Sequence, residues 1–465
     1  MTNIKMSRKN SKSDFKRKAI RSHKAFLKSV SRADKFQEFN FVEKKVQQAK
    51  IKNDEMLIDN IRESLLVEFE SFITPGSGDL IVSIPNIFCL CENYNACILS
   101  IKKFASSMFD FPGIEIKLDF SQCIKADTAA LFLLQIIRLE LIEKLTVLEQ
   151  KLSYLRMVPI VKSIASKKKD VVRLMLVCGY PVSTEDIQKM EGTSTLSPIH
   201  NAGYYKGTAS QKHYLENKKS VFATKIVEYF DSYLNHHNYQ LTENEKGNID
   251  GIIGEMLSNA EDHSGSNKWF VTANFSKEMT KDGSSDVGEM NLTILSFGRS
   301  IYEAFEDTRD SNLENYLLVE KYASNILTNF DTGFTKDQLF TVGTMQDQIS
   351  RLKFERESRG TGTMKFINSF LELGDYVNES KGFVPNLSIF SGNVQLICDN
   401  EFKPFAIDTV KCLSLNPEKD LRKPPRSSHL KKLGQKFPGT LISVKIYINK
   451  EHWDKKYGGI NNERA

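Results

Sequence analysis

The chain contains no proline or glycine before Pro75, and its first clear break is TPGSG at residues 74–78. Both residue types interrupt helices, so their absence permits long helices before this break. In this stretch basic residues alternate with spaced apolar ones such as Phe15, Phe26 and Phe41. This pattern predicts a basic helical arm over residues 1–75, followed by one or more separately folded domains.

Charge divides the chain at nearly the same place. The whole chain carries +6 and residues 1–52 carry +12, from 16 Lys and Arg against 4 Asp and Glu, so residues 53–465 carry −6. A basic segment of this kind suits an acidic partner such as nucleic acid. A solvated helical arm or a dimerisation helix explains the pattern equally well, and a protein partner or homodimer is the corresponding expectation.

Composition indicates a globular protein without membrane segments. Hydrophobic residues make up 40% and charged residues 26% of the 465 residues, a length that suggests two or three domains. No apolar run approaches the roughly 20 residues that a membrane-spanning helix needs. The start, MTNIKMSRKNSK, lacks the apolar core of a signal peptide, and we expect a cytoplasmic location.

Residues 76–181 alternate between strand-like and helix-like segments, which predicts a small α/β domain. GIEIKLDFSQC has the two-residue alternation of a strand, and IKADTAALFLLQIIRLELIEK reads as a helix capped by Asp127. A further helix should end at Gly179. The polar segment 182–220 is interpreted as a linker, residues 221–450 as a second domain and residues 451–465 as a tail.

In the second domain, LTENEKGNIDGIIGEMLSNAEDHSG predicts a helix with one apolar stripe. The stripe comprises Ile249, Ile252, Ile253, Met256, Leu257 and Ala260. When angles around the helix axis are measured from Glu255, Asn259 lies at about 40°, Asp262 at about −20° and His263 at about 80°. A polar row along the edge of a buried stripe is typical of the rim of a ligand pocket. It is also typical of a helix face that is exposed to solvent.

The segments after this helix follow a recognisable order. MNLTILSFGRSIYEAF reads as a strand that runs into Gly298, and ERESRGTGTMKFINSF reads as a glycine-rich turn that opens a helix. Free amides at such a helix start can bind phosphate. Two strand-like segments, PNLSIFSGNVQLICDN and FPGTLISVKIYIN, complete the domain.

This order resembles that of the Bergerat-fold ATPases, which include gyrase-type topoisomerases, heat-shock chaperones, histidine kinases and anti-sigma-factor kinases. The family's first box, E-x-x-x-N-A-x-x-H, is matched by Glu255, Asn259, Ala260 and His263. Its later glycine boxes correspond to SFGRSI, RGTGTMKFI and FPGTLISVKI. For residues 221–450 the resemblance implies an α/β sandwich with a mixed sheet covered by helices on one face.

The resemblance also implies ATP and Mg²⁺ as cofactors and a role for each matched residue. Asn259 would coordinate Mg²⁺ through its amide oxygen, and Glu255 would act as the general base. The remaining nucleotide-binding positions would be His263, Ser296, Gly298, Arg359, Gly360, Thr361, Gly362, Thr363, Lys365 and Thr440. Among them the turn amides and Arg359 or Lys365 would hold phosphate, and Thr440 would line the adenine pocket.

Two positions depart from the family pattern. Ser296 stands where the family has the aspartate that reads adenine, and Ser300 replaces a glycine. A serine hydroxyl can accept the hydrogen bond, but without the charge of a carboxylate. The segment 301–358 occupies the place of the family's lid, and its Arg351, Lys353 and Arg356 could cover phosphates or form a solvated charged face.

In the first domain, the segment around Asp127 and Thr128 is similar to the core of STAS domains, which regulate sigma factors. The family has an Asp-Ser pair at this helix start, and its serine accepts phosphate from Bergerat-type kinases. The resemblance makes Thr128 a candidate phosphoacceptor. The alternative is that Asp127 is simply a helix cap and Thr128 a residue of the first turn.

The leading functional hypothesis is an ATP-binding, Mg²⁺-dependent and ATP-hydrolysing switch in signalling, stress response or defence. One alternative is a Ser/Thr kinase of the anti-sigma-factor type that acts on a STAS-like partner. The other is a non-catalytic scaffold that responds to nucleotide and binds nucleic acid through its arm.

Overall fold

The computed structural model describes residues 69–151, 156–183, 200–208, 212–236, 241–264, 268–278, 287–347, 349, 362–374, 376–381, 383–407, 410–449 and 451–452. The predicted basic arm lies outside this part up to residue 68, as does the tail from residue 453. The chain divides into two compact units, Met1–Ser194 and Thr195–Ala465. No helix in the described part is both long enough and apolar enough to span a bilayer.

The first unit is an alternation of short strands and helices, as the sequence predicts. Its elements are β1 (Ile81–Ser83), β2 (Ile87–Phe88), α1 (Leu90–Asp110), β3 (Glu115–Asp119), β4 (Lys125–Ala126), α2 (Thr128–Lys151), β5 (Ile160–Ile164) and α3 (Lys169–Val177). Strands β1, β3 and β5 form a parallel sheet with β3 in the centre, and β2 pairs with β4 in parallel. Parallel neighbours require a crossover, which α1 and α2 provide.

Helix α2 is buried over most of its first three turns. Ala129, Leu131, Leu133, Leu134, Ile136 and Ile137 are all inaccessible to solvent. A helix that is apolar on all sides must lie inside a domain, and α2 supplies much of the core of this unit. Helix α3 is followed by Gly179 with a positive φ of 78°, which confirms the predicted glycine stop.

The second unit contains a long sheet and a layer of helices. Its elements are β6 (His200–Thr208), α4 (Lys212–His236), α5 (Glu243–Ser264), β7 (Lys268–Glu278), β8 (Val287–Phe297), α6 (Ile301–Glu306), α7 (Leu313–Asn329), α8 (Lys336–Thr344), α9 (Gly362–Leu373), β9 (Asn386–Cys398), β10 (Phe405–Ile407), β11 (Val410–Cys412) and β12 (Leu430–Asn449), with a 3₁₀ turn at Glu379–Lys381. Both units are therefore of the α/β type, as expected.

The main sheet has the strand order β6-β7-β8-β12-β9, and each of these pairings is antiparallel. The expected mixed sheet is therefore wrong for these five strands. The reason lies in β12, which inserts between β8 and β9 and runs opposite to both. This strand order depends on pairing between segments that are far apart in sequence, which local sequence patterns do not encode.

One face of this sheet packs against the helices. Trp269, Leu292, Ile294 and Val444 on the strands share a core with residues from α4, α5, α7, α8 and α9. The opposite face is buried too, because Phe270, Leu295, Leu441 and Phe390 form a cross-strand row with no exposed surface.

The predicted linker 182–220 contains regular structure. Strand β6 pairs with the edge of β7, from His200 opposite Phe275 to Thr208 opposite Lys268, and α4 begins at Lys212. The sequence of β6, HNAGYYKGT, is polar and rich in glycine, so its strand conformation depends on pairing with β7.

Candidate functional site

Helix α5 presents its two kinds of residue to different surroundings. Ile253, Met256 and Leu257 are buried in the core, and Ile249, Ile252 and Ala260 pack against it, which confirms the predicted stripe. Glu255 is exposed and Asn259 is half-buried. The backbone of Asp262 and His263 belongs to α5, whereas their side chains lie outside the described part of the structure.

A row of hydroxyl groups crosses the sheet at the end of β8. Thr440 of β12 pairs with Ser296 of β8 on one side and with Ser391 of β9 on the other. The hydroxyls of Ser391 and Thr440 are 2.8 Å apart, and Ser391 also accepts a hydrogen bond from the Ile301 amide at 2.8 Å. Two predicted adenine-pocket residues, Ser296 and Thr440, are therefore direct neighbours, although 143 residues lie between them in the sequence.

Trp269 of β7 continues the same row, because it pairs with Ser296. Its side chain is fully buried and packs edge-on against Phe222 of α4, with ring centroids 5.7 Å apart. Among the residues that the structure describes, the indole Nε1 of Trp269 has no hydrogen-bond partner. A buried N–H without an acceptor is costly, so this end of the sheet contains an unused donor.

The turn after β8 joins this row to the end of α5. The amide of Arg299 donates to the carbonyl of Ser264, the last residue of α5, at 2.7 Å. Gly298 has a φ of 117°, and its amide donates to the Pro438 carbonyl at 3.2 Å. The helix that carries Asn259 thus ends beside the turn predicted from SFGRSI.

Ser300 has a local structural role that explains why it replaces the expected glycine. It caps α6, with its hydroxyl accepting from the Glu303 amide at 3.2 Å while the Glu303 carboxylate accepts from the Ser300 amide at 2.9 Å. This reciprocal pair is a capping box. Burial opposes ionisation of Glu303, but hydrogen bonds from Lys436 and Ser300 outweigh it and lower the pKa of this carboxyl.

The predicted phosphate turn is only partly described. Gly362 is the first residue of α9, Thr363 is half-buried and Lys365 is exposed. Helix α9 packs beside α5, and its Met364 and Phe366 lie in the same core. The remaining residues predicted to contact phosphate lie outside the described part, namely Arg351, Lys353, Arg356, Arg359, Gly360 and Thr361.

A cavity of about 370 Å³ adjoins the hydroxyl row. It is bounded by the start of α6, the start of α8, and residues of β9 and β12, and it includes Ser391. Two lysines, Lys336 and Lys436, and two acids, Glu303 and Asp337, line it. The cavity is therefore lined by charges of both signs, and it adjoins the hydroxyl row at Ser391, the end opposite to Trp269.

In the first unit, Asp127 caps two helices. Its Oδ1 accepts from the Ala130 amide of α2 at 2.7 Å, and its Oδ2 accepts from the Leu90 amide of α1 at 2.8 Å. The predicted capping role is therefore confirmed. Thr128, the candidate phosphoacceptor, is only 3% exposed. Transfer of phosphate to its hydroxyl would require the first turn of α2 to open.

Asp399, Glu401 and His429 form a cluster that was not predicted from the sequence, and their ligand atoms lie within 4.8 Å of one another. The acids follow β9 and the histidine precedes β12, so no short spacing connects them. The only sequence signal was the D-x-E pattern directly after a predicted strand.

Comparison of the chain with protein-family models, with curated proteins and with solved structures found no match.

Proposed function

We propose that the second unit is an ATPase domain of the Bergerat type and that the chain is an Mg²⁺-dependent, ATP-hydrolysing switch in signalling, stress response or defence. The observation that carries this proposal is the meeting of three distant segments at one end of the sheet. The end of α5 is bonded to the turn after β8, and Ser296 at that turn pairs with Thr440. The family resemblance assigns these segments to one nucleotide.

The hydroxyl row supplies the groups that a purine requires. Ser296, Thr440 and Ser391 can each donate and accept hydrogen bonds. Ser296 is 3% exposed, so a purine that reaches its hydroxyl has to displace the side chains that cover it. Because serine also lacks the charge of the family's aspartate, we expect weaker affinity and less discrimination between bases than an aspartate would give.

The residues on α5 fit the metal and the attacking water. Asn259 offers a neutral amide oxygen, which is a suitable ligand for Mg²⁺ that also binds phosphate oxygens. Glu255 lies one turn earlier on the same side of the helix and is exposed, so water can reach its carboxylate. In this proposal Glu255 holds the proton that the water loses on attack.

The first unit is proposed to be STAS-like, and nucleotide state is proposed to alter its docking. Support comes from its parallel strands joined by helices and from Asp127 at the start of α2. The burial of Thr128 favours a docking role for this unit over a role as kinase substrate. The charge of +12 within residues 1–52 supports a further proposal, that this arm binds nucleic acid.

Calorimetric titration of the full chain with ATP, ADP and GTP, each with Mg²⁺, tests the nucleotide site. We expect binding of ATP that requires Mg²⁺ and falls at least tenfold in Asn259→Ala. The matched control is Asn235→Ala, an exposed asparagine of α4, which should bind ATP as the parent does. Absence of heat with every nucleotide, or equal affinity in both variants, would remove the proposal.

A further inference from the structure

A second group of ligand-type side chains lies apart from the hydroxyl row. Asp399 and Glu401 follow the end of β9, and His429 directly precedes β12. Because Leu396 of β9 pairs with Leu430 of β12, these two chain segments are side by side. A nitrogen of His429 and one oxygen of each acid come within 4.8 Å of one another.

In each of the three side chains, one polar atom is held by a neighbour. His429 Nδ1 lies 2.8 Å from the Ser428 hydroxyl, Asp399 Oδ1 accepts from the Glu401 amide at 2.9 Å, and Glu401 Oε1 accepts from Arg426 at 2.8 Å. The other atom of each side chain faces a common point. His429 Nε2 lies 3.0 Å from Asp399 Oδ2 and 3.8 Å from Glu401 Oε2.

The surroundings fix the imidazole and leave an entrance. His429 is 5% exposed, and its ring packs edge-on against Phe402 with centroids 4.7 Å apart. The guanidinium of Arg426 lies over the Phe402 ring, 5.4 Å from its centroid. The Glu401 side chain is 50% exposed, so an ion can enter from solvent on this side.

The charge balance favours a cation. Two carboxylates face one guanidinium, which leaves a local excess of negative charge when His429 is neutral. Asn400, between the two acids in sequence, has a buried side-chain amide whose oxygen and nitrogen both lack a hydrogen-bond partner among the described residues. A buried amide without partners is unusual in a folded protein and marks this loop as incompletely satisfied.

We propose that Asp399, Glu401 and His429 bind one divalent transition-metal cation, with Zn²⁺ the best fit. One imidazole and two carboxylates are ligands that Zn²⁺ commonly takes, and a water would complete four-coordination. Mg²⁺ and Ca²⁺ prefer oxygen ligands alone, so the imidazole selects against them.

Binding requires a defined placement of the imidazole proton. With the cation on Nε2, the ring proton resides on Nδ1, which donates a hydrogen bond to the Ser428 hydroxyl oxygen. The hydrogen bond between Nε2 and Asp399 is replaced by two metal–ligand bonds. No proton is lost from the neutral ring. Ser428 is thus a positioning residue, and outer hydrogen bonds of this type typically alter metal affinity by about 10–100-fold.

The test is titration of the full chain with Zn²⁺ alone, in competition with a chromogenic chelator and without nucleotide. We expect the parent to bind one more equivalent than His429→Gln. Glu401→Gln, at a half-exposed position that should leave folding intact, should bind that equivalent at least tenfold more weakly, and Ser428→Ala should also weaken it. Glu418→Gln is the matched control, because Glu418 is an exposed acid of the same unit outside the cluster.

Two outcomes would overturn this site: no zinc binding by the parent, or the same stoichiometry and affinity in Glu401→Gln as in Glu418→Gln. Zinc bound by other histidines raises the number of bound equivalents equally in all variants, so it cancels when the variants are compared. Asn259→Ala should keep the zinc equivalent, so the result does not depend on the nucleotide proposal.

Discussion

Gly439 illustrates how one residue holds the hydroxyl row together. Its φ of 130° is open mainly to glycine, and a Cβ at this position would overlap the carbonyl oxygen of Ser296 and lie 2.8 Å from the Phe297 Cα. The close approach lets β12 pair with the end of β8, from Gly439 opposite Phe297 onward. In the sequence this glycine belongs to the box FPGTLISVKI, and its position within β12 gives the physical reason for it.

Gly439→Ala should therefore destabilise the second unit. We expect the free energy of unfolding to fall by about 1–3 kcal/mol, from backbone strain and the displaced Ser296 carbonyl. Chemical denaturation monitored by far-UV circular dichroism measures it. Gly251→Ala is the control, since Gly251 is exposed on α5 and a Cβ added there would lie in open space. Alanine at this position should raise the free energy of unfolding by about 0.5–1 kcal/mol. Equal midpoints for the two variants would contradict this account.

Single residues were predictable from sequence where their role is local. Asp127 as a cap and Gly179 as a helix stop follow from neighbouring residues, and both predictions are confirmed. Ser391 was not predicted, because its role depends on the pairing of β9 with β12. His429 and Asp399 were missed for the same reason, since only that pairing brings them within 3.0 Å.

At the scale of elements, helix α5 was predictable and strand β6 was not. The apolar stripe of α5 repeats with the helical period, and a stripe of this kind indicates both the helix and its buried face. Strand β6 lies at the sheet edge and has no such pattern, so its structure comes from pairing with β7. The antiparallel order of the sheet likewise rests on non-local pairing.

Asp127 gives an element-scale prediction, because it caps α1 and α2 together. Asp127→Ala leaves the amides of Leu90 and Ala130 without these acceptors. Since one cap contributes about 0.5–2 kcal/mol to stability, we expect the loss of both caps to lower the free energy of unfolding by about 1–4 kcal/mol. The measurement is the denaturant midpoint of the full chain, followed by a probe in the first unit.

Asp170→Ala is the control for that experiment. Asp170 lies exposed in the first turn of α3, where its helix has no side-chain cap, so its removal should cost less than about 1 kcal/mol. A midpoint for Asp127→Ala no lower than that of Asp170→Ala would show that the shared cap contributes little.

At the scale of the whole molecule, charge is distributed unevenly along the sequence. Residues 1–52 carry +12, whereas residues 53–465 carry −6. The two compact units, divided after Ser194, together hold the described helices and sheets. The proposed division of labour is an arm that binds an acidic polymer, a STAS-like unit that docks and a second unit that binds nucleotide.

Removal of residues 1–52 should abolish binding to nucleic acid. The full chain should bind duplex DNA or RNA at low salt, with an affinity that falls steeply as salt increases, because cations are released from the phosphates. Fluorescence anisotropy at several salt concentrations measures this dependence. A chain that lacks residues 453–465 is the control and should bind normally. Equal binding by all three chains, or binding by none, would contradict the proposal that residues 1–52 bind nucleic acid.

The most direct test of the central claim is phosphate release from ATP by the parent, Glu255→Ala and Glu228→Ala, each at saturating ATP and Mg²⁺. Glu228 is an exposed glutamate of α4 and serves as the matched control. Loss of a general base should slow turnover by about 10²–10⁴-fold in Glu255→Ala, with ATP binding retained. Equal rates in Glu255→Ala and Glu228→Ala, or no release by the parent, would contradict the proposal that α5 carries the catalytic carboxylate.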